Sequence, residues 1–415
     1  MTIARRTILK GAAAGFGTLA APHILRAADG DTIRIALITS LSGPAQLYGN
    51  FIKIGATIAA DRLNAKGGVL GKKIELIIRD DKGSPDGAVT AFRELTGMGI
   101  KLVAQGPLTA PLLATLPLLE PADASMVMIG PSSASLTHEN FNPNAFRLGF
   151  SGPMAYSGFA SVMARKYPDI TRWAVMATET DSLKDLAHQF TLGLKREYPK
   201  HAKKEVEVLA PLFASFGAAD YKNQISSLMD AKADGLFNVL QGADAISYYK
   251  QARTFGVENK YKIQADSGNE LSIAKALGRN TPKEIWGWTG WYQEAVADNP
   301  VAQEIYKDYV GRTKDEYPNW FMAIAHDSIL AIANGAQVAG STDRKGVLPA
   351  IAASQPLGAT GKITFRKEDQ TFVGNLVYIK FGADASDPKG WRVFESVVLP
   401  GADFVEPATP GKKLS

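Results

Sequence analysis

The chain has 415 residues, 46% hydrophobic and 21% charged, a length that fits two domains of roughly 150 to 200 residues better than one core. Its formal charge is +5 and its pI about 9.0, but Arg5, Arg6, Lys10 and Arg26 all lie in a leader without Asp or Glu. Taking those four from 46 basic residues leaves 42 against 41 acidic ones, which argues against a nucleic-acid surface. Cysteine is absent, which excludes a disulfide framework, a thiolate nucleophile and a Cys-ligated metal, and the histidines at 23, 138, 188, 201 and 326 lack metal-ligand spacing.

The chain opens with an arginine pair, a hydrophobic pair and a lysine (5–10), then a mild Gly/Ala-rich run (11–21) too short to span a bilayer. Residues 1–28 resemble a twin-arginine export signal, with cleavage expected near Ala27 or Ala28. The expected location is therefore the periplasm.

From residue 32 short apolar strands alternate with amphipathic helices. Strands are expected at 33–39, 74–78, 102–104 and 127–129, and helices at 51–65, 86–96 and 110–119. The stretch 126–135, MVMIGPSSAS, is an apolar run that breaks into Gly-Pro and hydroxyls, as at the ligand-binding edge of a parallel sheet or at a capped helix start. After the Gly/Ser/Pro-rich stretch 149–153 the alternation resumes, with strands at 173–177, 206–209, 236–240 and 262–265 and helices at 183–198, 221–231 and 245–255. The last third breaks the rhythm: strand material at 286–291, long helices at 301–317 and 320–339, then β-like segments at 361–365, 376–381 and 391–398.

Strict alternation implies α/β folding with doubly wound parallel sheets, and two such modules imply two lobes around a cleft, joined by a multi-strand hinge. The expected division is lobe 1 at 29–150 plus about 291–372, lobe 2 at 151–290 plus about 373–400, and a C-terminal tail at 401–415.

The segments LSGPAQLYG (41–49), NAKGGVLGKK (64–73) and RDD (79–81), in that order, identify a resemblance to type I periplasmic solute-binding proteins of the leucine/isoleucine/valine-binding group. The resemblance runs from about residue 33 to 381. It implies a monomeric receptor that captures a small organic solute between its lobes and delivers it to the membrane permease of an ABC importer, with neither cofactor nor metal.

Carried over position by position, the resemblance places Tyr48 at the mouth of the first turn. It matches Thr109 to a serine that holds a ligand carboxylate through hydroxyl and amide, and lets Ser132 and Ser133 continue that grip. Helix amides with hydroxyls suit an anionic oxygen, although a plain N-cap explains Thr109 as well. Ala134 stands where amino-acid binders carry Thr, Ser182 where they carry a cleft Tyr, and Ser267 where they carry the Glu that pairs with the ammonium. Asp266 is next door, but its side chain starts from a different face. An ammonium buried without a carboxylate is costly, so the expected ligand is a carboxylate or other non-amino-acid solute, aromatic ones included.

Gln241 is a candidate second-lobe donor or a solvated turn residue. Trp286 and Trp288 read as core packing and Trp291 as the tryptophan nearest the cleft. Gly83 and Leu108 occupy the places where relatives carry a disulfide, and Ser151-Gly152-Pro153 replaces an acidic residue of the hinge.

The alternative within the same class is a branched-chain or other hydrophobic amino-acid receptor, and the alternative of another class is a ligand-sensing module of amide-sensor type. An enzyme is not expected, because the sequence contains no G-x-S-x-G elbow, P-loop or H-E-x-x-H motif, and Asp80 and Asp81 are adjacent in a strand-turn.

Overall fold

The computed structural model describes residues 32–43, 45–267 and 271–414; residues 1–28, read above as an export signal, and the expected cleavage point lie outside them. The first unit runs β1 (Thr32–Thr39), α1 (Gln46–Ala65), β2 (Lys73–Asp80), α2 (Pro85–Gly97), β3 (Leu102–Gly106), α3 (Thr109–Thr115), β4 (Ser125–Ile129) and β5 (Ala145–Leu148). All four strand pairings are parallel, in the order β2-β1-β3-β4-β5.

The second unit begins with α4 (Gly152–Lys166), β6 (Arg172–Thr178), α5 (Asp181–His201), β7 (Glu207–Val208), β8 (Leu212–Ala214) and α6 (Lys222–Asp230). It continues through β9 (Gly235–Val239), α7 (Gly242–Thr254), α8 (Val257–Lys260), β10 (Ile263–Asp266), α9 (Leu271–Leu277) and β11 (Ile285–Thr289). The chain then makes α10 (Pro300–Thr313), α11 (Trp320–Ala339), α12 (Arg344–Ala353), β12 (Leu357–Gly358) and β13 (Gly361–Lys362), and ends in β14 (Asn375–Ala383) and β15 (Trp391–Pro400). The second sheet has the order β15-β14-β11-β10-β9-β6-β7, with β8 beside β6 and only its β14 edge antiparallel.

The central strands β3, β4, β9 and β11 are buried along their whole length, as strands covered by helices on both faces must be. Helix starts follow the local chemistry: Ser84 accepts from Gly87 N before Pro85, Ser151 from Met154 N before Pro153, and Thr180 from Leu183 N.

The chain crosses between the sheets three times. It leaves β5 for α4, leaves β11 for α10 and α11, which pack on α1, and returns to β14 after Thr371 has bridged Arg147 at the edge of the first sheet. Helices α1 and α11 meet closely because Gly55 has no side chain; a Cβ there would fall on the carbonyl oxygen of Met322.

Several expected elements have other bounds. Helix 301–317 stops at Thr313, where Lys314 takes φ +63°. Helix 110–119 ends as α3 and continues as a 3-10 turn over Leu116–Leu118, with Pro117 removing an α-helical donor. Of 361–365 only Gly361–Lys362 pairs, in a two-residue hairpin with β12, while Phe365 bridges Phe372. Two elements went unforeseen around the first crossing, β5 and α4.

Candidate functional site

The carboxyl ends of the parallel strands carry turns rich in hydroxyls, and an aromatic wall links the two sheets beside them. Its first member, Tyr48, lies in the first turn of α1 behind a turn braced by two carboxylates. Asp80 accepts from Leu41 N (2.8 Å) and Ser42 Oγ (2.6 Å), and Asp81 accepts from Ser40 Oγ (2.7 Å). The adjacent acids thus hold one turn from two sides. Burial, with Asp80 nearby, raises the Asp81 carboxyl, whereas hydrogen bonds from Ser42, Lys82 and Leu41 outweigh partial burial and lower Asp80.

The half-buried Tyr48 ring lies 5.2 Å from Phe321, which stacks on Trp320 at 4.5 Å. Trp320 meets Trp288 edge-on at 5.0 Å, and Trp288 in turn lies 6.4 Å from Tyr156 of α4. Phe150, in the first crossing, touches both Trp288 and Trp320 at 6.0 Å. The wall therefore runs from α1 over the start of α11 to β11 and α4. Offset and edge-on pairs of this kind add to the area they bury.

Asn319 sets the start of α11 by accepting from Phe321 N (3.1 Å), which turns Trp320 and Phe321 inward. Burial, reinforced by Asp266, Asp185 and Tyr48, pushes the Tyr156 phenol well above its ordinary value, so Tyr156 stays neutral and donates a hydrogen bond to Ser267 O at 2.6 Å.

The other sequence-derived residues fall as follows. Thr109 is the first residue of α3, partly buried, and Leu108 rather than Thr109 is the N-cap; no side chain caps that helix. Ser132 and Ser133 follow β4 directly, with the Ser132 carbonyl taking Gly152 N (2.7 Å) and the Ser133 carbonyl taking Arg147 Nη1 (3.1 Å). Ser133 Oγ lies 2.8 Å from Ser135 Oγ, and Ala134 begins the 3-10 turn between them.

On the second sheet Ser182 is exposed in the first turn of α5, 3.5 Å from Thr180 Oγ1, and Gln241 is exposed at the N-cap of α7 without capping it. Asp266 is buried and takes Tyr249 O–H at 2.9 Å; burial and the Asp266 charge raise the Tyr249 phenol in turn. Ser267 is buried beside Tyr156. Trp291 is buried too, but its indole donates to Ala359 O (3.0 Å) and its ring leans on Tyr306.

The structure thus brings Tyr48 and Ser267 to the two ends of the aromatic wall, while Trp288 is the tryptophan within it and Trp291 packs toward α10 and the β12–β13 turn. Sequence reasoning did not single out Trp320, Phe321, Tyr156 or Phe150. An adjacent Trp-Phe pair just after an Asn cap was the available signal. A surface cavity of about 450 Å³ lies elsewhere, at the amino ends of β1 and β3, bordered by Arg34, Lys72 and Lys101.

Among the described residues no three His, Asp or Glu side chains gather as a metal site, and no helix is long and apolar enough to cross a membrane.

The profile of the family described as periplasmic binding protein matches residues 32–385. The chain belongs to this family.

Among periplasmic binding proteins it is 25% identical over 340 residues to the leucine-, isoleucine-, valine-, threonine-, and alanine-binding protein of Pseudomonas aeruginosa, covering 81% of this chain and 86% of that one. A shorter match, 45% identical over 78 residues, is to the Leu/Ile/Val-binding protein BraC3 of Rhizobium johnstonii, and spans 19% of this chain and only 21% of that one.

Solved structures share the fold, among them two with a bound small molecule. One is the branched-chain amino acid transporter substrate binding protein LivJ of Streptococcus pneumoniae with isoleucine, at TM-score 0.74 and 19% identity, covering 89% of this chain and 100% of that one. The other is a solute binding protein of Rhodopseudomonas palustris with benzoate, at TM-score 0.73 and 15% identity, covering 92% and 100%.

Proposed function

We propose that the chain is the solute receptor of an ABC importer: it captures a small organic solute where the carboxyl ends of its two sheets face each other, and the closed form docks on the membrane permease. The observation that carries this reading is the aromatic wall from Tyr48 to Tyr156, which joins α1 and α11 beside the first sheet to β11 and α4 of the second unit. A wall assembled this way is completed only when the lobes are together, which couples solute binding to closure.

The lobes are placed at 29–150 with about 291–372 and at 151–290 with about 373–400. Residues 1–28 act as the export signal, and the receptor works as a monomer in the periplasm without catalysis. Thr109, Ser132 and Ser133 hold a carboxylate at the first lobe, and Tyr48 stacks on the solute beside it. Ala134, Ser182 and Gln241 border the opening.

The solute is an acid without an amino group, because Ser267 offers no countercharge and Asp266 turns to Tyr249. A second reading, a receptor for leucine-like amino acids, is favoured by the name of the Pseudomonas aeruginosa relative.

A thermal-shift screen of the ligand-stripped chain tests both. A solute at 100 times its Kd adds about 2.7 kcal/mol to the folded state. The first reading expects aromatic or aliphatic acids to raise the Tm most; a larger shift with leucine or isoleucine selects the second, and no shift with any small organic solute rejects both.

A further inference from the structure

Two buried polar atoms at the end of the second sheet have no hydrogen-bond partner among the described residues: Ser267 Oγ and Trp288 Nε1. Their residues are 2% and 7% exposed. Strands β10 and β11 run parallel with Ala265 opposite Trp286 and Asp266 opposite Gly287, so the next pair in register is Ser267 with Trp288. Side chains alternate along a strand and neighbouring strands lie roughly 4.8 Å apart, which puts both residues side by side on the face of Ala265 and Trp286.

Helix α4 covers that face. Tyr156 lies 6.4 Å from the Trp288 ring and its hydroxyl donates to the Ser267 carbonyl, so its proton is already committed and satisfies neither atom. Buried polar groups are paired as a rule, and two adjacent exceptions beside the aromatic wall call for a partner from outside the chain.

We infer that Ser267 and Trp288 form a two-point grip for a neutral oxygen at the end of the solute remote from its carboxylate, a hydroxyl or a carbonyl. This rests on the receptor reading above. An indole N–H only donates, and a serine hydroxyl donates or accepts, so together they fit an oxygen with free lone pairs and oppose an ammonium, which brings only donors. The nearest acid in sequence, Asp266, points to the other face, where Tyr249 holds it. Trp320 and Phe150, 5.0 and 6.0 Å from Trp288, frame the grip with apolar surface that suits a flat ring.

The test uses three acids of one shape on the mature chain: benzoate, 4-hydroxybenzoate and 4-(aminomethyl)benzoate, by calorimetric titration, with Trp288→Phe and Ser267→Ala as variants. The expected result is that 4-hydroxybenzoate binds about tenfold tighter than benzoate, as one hydrogen bond to a buried donor provides, and that the aminomethyl acid binds weakest. Both variants then lower the affinity for 4-hydroxybenzoate by a larger factor than that for benzoate, so that the ratio of the two affinities falls toward one. Ser267→Ala keeps the ligand-free Tm or raises it, since it deletes an unpaired buried hydroxyl.

Equal affinity for benzoate and 4-hydroxybenzoate, variants that weaken both alike, or tightest binding of the aminomethyl acid would each overturn the grip while leaving the receptor standing. Binding of none of the three also overturns it, and the receptor reading falls with it only if amino acids and other small organic solutes fail to shift the Tm as well. If Trp288→Phe does not fold, Ser267→Ala and the wild-type ranking of the three acids decide.

Discussion

The guanidinium of Arg147, on the last strand of the first sheet, lies 3.3 Å from the carboxylate of Glu406, 259 residues further along the chain. Both side chains are buried, and Ser151 in the first crossing donates to the other Glu406 oxygen at 2.6 Å. The C-terminal tail is tied down further by Gly411 N on His138 O (2.7 Å) and by Arg366 on the Glu406 carbonyl (2.6 Å). The tail thereby straps the point where the chain passes from one sheet to the other.

Removing one partner leaves a charge buried without its counterpart, which costs about 3 to 5 kcal/mol, whereas replacing both with apolar residues is often nearly neutral. Glu406→Leu and Arg147→Met should each lower the denaturant midpoint strongly, and the double variant should recover most of the loss. Additive losses in urea unfolding would mean that the pair is not coupled.

The same carboxylate sets an acid limit. Burial alone would raise Glu406, but His138 at 3.5 Å, the Arg147 charge and the Ser151 hydroxyl outweigh it and hold the group at about 2, below its ordinary 4.5. A depressed carboxyl stabilises the fold above its unfolded value and loses that contribution as pH falls through the folded one, here from about 4.5 down to about 2. The shift corresponds to ~3 kcal/mol. Thermal melts from pH 7 to 2 should show a shallower decline for Glu406→Gln than for the wild type below pH 4.5; parallel curves would remove Glu406 as the cause.

At the first lobe, Tyr48→Ala should weaken binding by taking one end off the aromatic wall, and Thr109→Ala by about 1 to 3 kcal/mol if the hydroxyl holds a charged oxygen. Calorimetry with the best solute from the thermal-shift screen reads both. Wild-type affinity in both variants would move the site away from these turns.

Gly130 joins β4 to the hydroxyl turn with φ +69°, and a Cβ there would stand 2.5 Å from Phe321 Cε1 and 2.6 Å from Ile324 Cδ1. Gly130→Ala is therefore expected to cost about 2 kcal/mol or more and, by displacing Phe321, to weaken solute binding as well. Gly97→Ala, where a Cβ meets nothing within 4 Å, serves as the control. Equal melting temperatures for the two variants would show that the close approach is not maintained in solution.

Much of the fold was legible because its signals are local. A parallel strand between helices is a short apolar run, and an amphipathic helix shows its 3.6-residue period, so the elements from β1 through β4, and β6, α5, β7, α6, β9, α7, β10 and β11, stand close to where the pattern puts them, whereas the short β8, α8 and α9 were not anticipated. Helix α4 was missed for a physical reason. Every residue from Gly152 to Ala164 is buried, so it has no polar face to mark a period, and its Ser-Gly-Pro start reads as a linker although it is a cap followed by proline at the first turn. The four-residue β5 went unread beside it.

The candidate site divides the same way. Tyr48, Thr109, Ser132 and Ser133 are candidates through the family resemblance, and each lies in a turn that is contiguous in the chain. Strand alternation alone determines that Trp286 and Trp288 share a face and that Asp266 and Ser267 do not. Which strand lies beside β11, and in what register, is decided by sheet pairing between segments about twenty residues apart, and that pairing alone sets Ser267 against Trp288. The meeting of Trp288 with Trp320, and of Arg147 with Glu406, likewise depends on how the crossings close around a shared core. Local pattern carries the elements and their faces; hydrophobic burial is non-directional, so only the packed tertiary structure selects which faces meet.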